Sequence, residues 1–427
     1  MLEDIDLDNL LPTTPIVREL NKQYFGMLET GRSMKKRNEC VFKHLKDACK
    51  EQGYNQSVQD AICIRNTEDS QSWLKYITSH KLEISTSFEI VSIDSGFSLS
   101  VFYYEMEKYL IISGVGSVEL DPDGFELIEN NSGIFTLFSS VGVIKTVDIK
   151  RDAGDIYEHI LFEDDDPKTI RYVELDSIID FYQPFFVFKF IDESMYKSMD
   201  MSRLSSYIAL EVNADFYTAK EVDLYCMLKE LIINGDRAIN LTWLAKSICV
   251  KSDLYVLYME LYRMLERLYA LPSAKALKGE VGAEQECLFT LVKSLEKTTG
   301  WRKNEKEGLV SLFQSLETDE VDEMYNILKS FVHKDFDMSN VDTKSASYTR
   351  AYNDTTSNED ERFKLLKEVE LAKVNFLCNY IYSVRNSYVH YREVLDTHLR
   401  KDQLVALCKA VLVAIDPIYV RLLESEI

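Results

Sequence analysis

The chain has 427 residues, and its 71 Asp and Glu against 49 Lys and Arg leave a formal charge of −22. At 46% apolar and 28% charged it has a globular balance that excludes wholesale disorder, while 15 Gly and 7 Pro, well under the usual ~7% and ~5%, exclude collagen-like and loop-dominated classes. Such acidity repels polyanions over the molecule as a whole, so any nucleic-acid contact is local, and the length suits two to four domains.

The first residues, MLEDIDLDNLLP, are acidic and lack the basic and long apolar regions of a secretory signal. From Thr14 to about His80 apolar residues recur at three and four, which predicts an N-terminal helical region over 1–81. It contains the densest basic stretch, with Arg32, Lys35, Lys36, Arg37, Lys43, Lys46 and Lys50. That stretch reads first as a solvated helix face and second as a patch for a polyanion.

Between about 82 and 200 the period shifts to two. The runs SFEIVSI, SLSVFYY, KYLIISGVGSVEL, FELIEN, GIFTLF, VIKTVDI, YEHILF, TIRYVEL and FFVFKFI predict strands of a β-rich module. Asp121-Pro122-Asp123-Gly124 predicts a turn, with Pro setting φ and Gly supplying a positive φ. The acidic run Glu163 to Asp166 reads as a solvated turn before Pro167 rather than a cation site.

Period 3.6 returns beyond Met201. A helical connector is expected over 201–284 and a helical domain over 285–427, interrupted by a polar loop over 334–361 that holds few large apolar residues. The stretch LVALCKAVLVAI, broken by Lys409, is too short for a bilayer span and reads as a buried helix. The eight cysteines form no CxxC and no zinc-ligand spacing, as expected of reduced thiols in a cytoplasmic protein. The fold class expected is α+β: a helical N-terminal region, a β-rich middle and an all-α C-terminal bundle.

Signatures of common enzymes are missing from the sequence. There is no P-loop, and Gly114 and Gly116 lie in a strand run without the following helix that a phosphate cradle needs. No G-x-S-x-G, H-E-x-x-H or kinase set occurs.

One stretch carries chemistry: Tyr380-Ile-Tyr-Ser-Val-Arg385-Asn386-Ser-Tyr388-Val-His390-Tyr391-Arg392. It resembles the Arg-x(4-6)-His motif of the HEPN superfamily in its Arg-Asn-x-x-x-His form, set in a helical pattern near the C-terminus. The bare spacing recurs from Arg37 to His44 and from Arg392 to His398, and the Asn after Arg385 and the tyrosine-rich helical setting single out this copy. Asn386 and His390 stand four apart and share a helix face, so the amide can orient the imidazole. Arg385 and His390, five apart, converge more readily on one phosphate where a second copy of the helix faces the first.

The resemblance implies a helical bundle over the last 100 to 140 residues and a metal-independent RNA endonuclease without cofactor, acting as a homodimer with both motifs in a shared groove. In that reading His390 is the general acid or base, Arg385 stabilises the charge on the phosphate, and Asn386 positions His390. The products expected are a 2′,3′-cyclic phosphate and a 5′-OH, with DNA resistant for want of a 2′-OH. Tyr388, Tyr391, Arg392 and His398 are expected to hold RNA; Tyr380 and Tyr382 stack bases or pack against neighbouring helices, and Arg400 and Lys401 supply nearby charge.

Proteins similar in layout are toxins or abortive-infection, anti-phage ribonucleases, with a regulatory protein or antitoxin as partner and no membrane association. The chain departs from relatives of that family in lacking the P-loop of its ATPase-linked forms and the N-terminal α/β pattern of its cyclic-oligonucleotide-sensing forms. Two alternatives come from other classes: a non-catalytic dimerisation or protein-interaction scaffold in which Arg385 and His390 brace helices, and an RNA-binding protein without cleavage.

Overall fold

The computed structural model describes residues 34–54, 62–65, 73, 84–91, 96–104, 106–147, 153–161, 171–217, 221–281, 287–299, 304–332, 336–354, 358–389 and 399–423. The chain divides into two compact units, 1–91 with 96–201 and 92–95 with 202–427. The fold is mixed, with a small sheet and many helices, the helices dominating the C-terminal region.

In the first unit, α1 (Met34–Glu51) is amphipathic and buries Val41, Phe42, Leu45 and Cys49 while Lys43, His44, Asp47 and Lys50 face solvent. Within the basic stretch Arg37 departs from the solvated-face reading: it is buried and donates to Ser140 Oγ at 3.3 Å. Asn38 is buried too, and its Oδ1 accepts from the Ile64 amide at 2.9 Å. That bond ties α1 to β1 (Ile62–Ile64), a strand inside the segment expected to be wholly helical. β1 is short, β-branched and held by parallel pairing to a distant strand, so local periodicity carries no sign of it.

The larger sheet uses β2 (Ile84–Val91), β3 (Gly96–Tyr104), β4 (Glu107–Ser113) and β5 (Phe125–Ile128). Two helices follow, α2 (Ser132–Ser140) and α3 (Ala153–Ile156), the latter running on into a π-helical turn over Tyr157–Leu161. β6 (Arg171–Val173) pairs with β1, and β7 (Phe185–Phe190) completes a five-stranded antiparallel sheet in the order β2-β3-β4-β7-β5. β3 and β4 bury consecutive residues, among them Leu110, Ile111 and Ile112, so both faces of the sheet are covered.

Two expected strands are helical. GIFTLF belongs to α2, whose start is capped by Asn131 Oδ1 accepting from the Gly133 and Ile134 amides, both at 3.0 Å. Eight of its nine residues are buried, the polar Ser132, Thr136 and Ser139 among them, and a helix buried on all sides has no one-sided apolar period to read. YEHILF forms the π-helical turn, with Tyr157, Ile160 and Leu161 inside. The turn at Asp121 to Gly124 is present, closed by the Gly124 amide donating to the Asp121 carbonyl at 3.0 Å. Gly124 is needed there for space rather than for a positive φ: a Cβ would stand 2.2 Å from the Tyr196 ring, whose hydroxyl donates to Asp121 Oδ2 at 2.7 Å.

The second unit runs α4 (Met201–Val212), α5 (Val222–Asn234), α6 (Leu244–Ile248), α7 (Leu254–Glu266), α8 (Leu271–Val281) and α9 (Leu288–Thr299). It continues through α10 (Glu305–Phe313), α11 (Thr318–Lys329), α12 (Ser339–Asn353), α13 (Glu359–Val389) and α14 (Lys401–Leu423). By length and composition α14 alone among the described residues is apolar enough to cross a membrane, and 15 of its 23 residues are buried inside the unit. Its Tyr419 hydroxyl donates to the Met264 carbonyl of α7 at 3.1 Å.

The stretch read as a polar loop over 334–361 is largely helix, since α12 fills 339–353 and α13 begins at Glu359. The hydroxyls of Thr343, Ser347 and Thr349 each donate to the carbonyl four residues earlier, so these polar side chains are satisfied within the helix. Only Val341 and Ala351 are buried, and α12 is held to α13 by polar links, Lys344 to Glu368 and Arg362 to the Ala351 and Asp354 carbonyls. A helix docked this way shows no apolar stripe.

Candidate functional site

The site is built on the last turns of α13. This helix has 31 residues and is capped by Asn358 Oδ1 accepting from the Glu361 amide at 2.7 Å. Its apolar positions Phe376, Leu377, Tyr380, Ile381 and Val384 are buried, which fixes the rotation that aims Arg385 at α7 and α10. α7 answers with a tyrosine at nearly every turn. Tyr258 Oη donates to the Ile381 carbonyl at 2.6 Å, Tyr255 Oη to the Arg385 carbonyl at 3.4 Å, and Tyr262 lies beneath the Arg385 guanidinium, 5.6 Å from ring centre to carbon.

Arg385 is held by acids. Its Nη2 stands 3.5 Å from Glu266 Oε1, at the end of α7, and its Nη1 stands 3.3 Å from Glu305 Oε2, at the start of α10. Nη1 also donates to Asn386 Oδ1 at 2.9 Å, and Nε is buried without a hydrogen-bond partner. The Arg385 side chain is 13% exposed, against 36% for Glu266 and 39% for Glu305. Burial raises the Glu266 carboxyl above the usual range, and Arg385 opposes that rise.

Local packing explains how Glu305 gets there. Asn304 caps α10 by accepting from the Lys306 and Glu307 amides, and Gly308, one turn further on, lies so close to Tyr269 that a Cβ would stand 2.6 Å from the Tyr269 Cβ. The absent side chain lets α10 approach the end of α7 closely. Burial also drives the Tyr255, Tyr262 and Tyr269 hydroxyls well above their ordinary value, so all three stay protonated near neutrality.

Tyr388 stacks on Tyr255 with centroids 3.4 Å apart and planes 15° apart. Tyr380 is core: fully buried, with Phe336 edge-on at 4.7 Å and Phe376 parallel at 6.3 Å, so it has no face for a base. Tyr382 is half-buried. Arg400 pairs with Asp402 through two 3.0 Å bonds, and Lys401 pairs with Glu221 at 2.9 Å. His390, Tyr391, Arg392 and His398 lie outside the described residues.

The structure therefore joins Arg385, Asn386 and Tyr388 of the expected set and adds Glu266, Glu305, Tyr255 and Tyr262. Of these additions Tyr255, Tyr262 and Glu266 share one face of α7 with Tyr258 at spacings of three and four, though nothing in that spacing names α13 as the partner, and Glu305 carries no signal of its own. Chemically, the one guanidinium is met by two carboxyl groups, so its positive charge is already answered within the cluster. In this arrangement the cluster offers a phosphate no net attraction, and a polyanion reaches Arg385 only if one of those carboxylates is protonated or drawn away. Among the described residues no group of acidic, Cys and His side chains could hold a metal ion.

No family model matches the chain, and no curated protein or solved structure matches it.

Proposed function

We propose that the chain is a metal-independent RNA endonuclease of the HEPN type in a latent state, with Arg385 and His390 as its reacting pair. The observation that carries this reading is Arg385 hydrogen-bonded to Asn386 at the end of a long helix, five residues before His390 in sequence and ringed by protonated tyrosines.

In the reaction, a ribose 2′-OH gives up its proton to a general base as its oxygen attacks the adjacent phosphorus. The bond from phosphorus to the 5′-oxygen breaks, and that oxygen takes up a proton, leaving a 2′,3′-cyclic phosphate and a 5′-OH. His390 handles the protons, and Arg385 stabilises the negative charge on the phosphoryl oxygens once it is released from Glu266 and Glu305. Tyr388, Tyr391, Arg392 and His398 hold the RNA. The working form is a homodimer in the cytoplasm, its biological role that of a regulated toxin or anti-phage effector, with a regulatory protein or antitoxin as trigger or restraint.

A second reading is favoured by one specific observation, the near-burial of Arg385 between carboxylates from two helices. In it Arg385 braces α7, α10 and α13 in a non-catalytic scaffold. Purified protein incubated in EDTA with a single-stranded RNA and the matching DNA, beside a His390→Ala variant, separates the two. Loss of RNA alone, abolished in the variant, supports the nuclease; intact RNA under every condition, including after the Arg385 carboxylates are neutralised, supports the scaffold.

A further inference from the structure

In the second unit, away from Arg385, a cavity of about 830 Å³ opens between the C-terminal half of α11 and the first turns of α14. That volume is in the range of small-molecule sites, roughly 300 to 1,000 Å³. Its walls are apolar: Ile327 and Phe331 from the α11 side, Val405 and Ala406 from α14. Three cations line it, Arg400, Lys401 and Lys409, and each is paired with one carboxylate, so the rim is nearly balanced in charge but rich in donors.

The cations are paired but not saturated. Lys401 meets the buried Glu221 at 2.9 Å, Lys409 meets the exposed Asp223 at 2.8 Å, and Arg400 uses two of its donors on Asp402. An ammonium has three donors and a guanidinium five, so donors remain on each for an incoming oxyanion without any of these pairs breaking. Asn326, exposed at the same cavity, adds an amide that can meet a polar edge of a ligand.

We propose that this cavity binds a small organic anion: a flat apolar body lying against Phe331 and Val405, with one phosphate, sulfonate or carboxylate group held by Arg400, Lys401 and Lys409. Volume and apolar walls select the body, and the donors left on the three cations select the charged group.

The probe is 8-anilinonaphthalene-1-sulfonate, an aromatic anion of suitable size, with uncharged N-phenyl-1-naphthylamine as its neutral counterpart, titrated by fluorescence on the full chain. Two variants accompany it. Asn326→Trp fills the cavity from an exposed position, and Arg400→Gln/Lys409→Gln removes two rim charges whose partners are exposed, while circular dichroism and thermal melting confirm that each variant is folded. One saturable site for the anion is expected, weakened at least tenfold by Asn326→Trp and at least fivefold by the charge variant, with the neutral probe at least tenfold weaker than the anion. Equal anion binding by wild type and Asn326→Trp overturns the site. Equal affinity for the two probes overturns the anion selectivity.

Discussion

The rings of Tyr255 on α7 and Tyr388 on α13 lie in parallel contact, 3.4 Å between centroids, and join the two helices that frame Arg385. Parallel aromatic contact adds about 0.5–1.5 kcal/mol beyond area burial. A double-mutant cycle of Tyr255→Ala and Tyr388→Ala, read by urea unfolding, is expected to return a coupling energy in that range. Independent effects would mean that the rings do not meet.

Glu260, on the buried side of α7, is 1% exposed; one carboxylate oxygen has no hydrogen-bond partner, and the other meets Arg263 at 3.4 Å. Burial raises its carboxyl above the ordinary range. A raised carboxyl contributes stability that is fully present below its unfolded value and is lost as pH rises through the folded one. Wild type is therefore expected to lose thermal stability relative to Glu260→Gln as pH rises from about 4.5 to 8, the sense required by a folded state that binds the proton more tightly. Melting temperatures across that range check it, and a difference that stays constant contradicts it.

Gly308→Ala tests how α10 is seated. In an unhindered helix that change stabilises by about 1 kcal/mol. Here the new methyl meets the Tyr269 Cβ at 2.6 Å, next to the backbone where nothing can swing aside, and the expected result is a loss of about 1–3 kcal/mol. The sign of the change, measured by chemical denaturation, decides the matter.

Ala346 is exposed in the middle of α12, where Pro removes a helical hydrogen bond and clashes with the preceding turn. Ala346→Pro is expected to cost about 3 kcal/mol, or to unfold α12 locally with loss of amide-exchange protection over 339–353. A loop at this position would absorb the substitution with little change.

Much of the architecture is legible in the sequence where residue type or helical period is distinctive. The β-branched and aromatic runs SLSVFYY and FFVFKFI mark β3 and β7, and the stripe of α7 marks a core helix. Legibility fails where the stripe is missing for opposite reasons: α2 is buried nearly all round, its polar residues included, and α12 is polar nearly all round and held by hydroxyl and charge contacts. At the candidate site Arg385 and Asn386 stand out by motif. Glu266 and Glu305 do not, because they lie 119 and 80 residues away in sequence and reach Arg385 only through packing around Tyr262 and Gly308.

The most direct measurement is RNA cleavage in EDTA by the Glu266→Gln/Glu305→Gln variant, which keeps side-chain shape and removes both negative charges facing Arg385. The expected result is at least tenfold faster cleavage than wild type, with 2′,3′-cyclic phosphate ends, intact DNA, and complete loss when His390→Ala is added. A folded double variant that leaves RNA intact, or that cleaves equally well with His390→Ala, contradicts a latent nuclease built on Arg385 and His390.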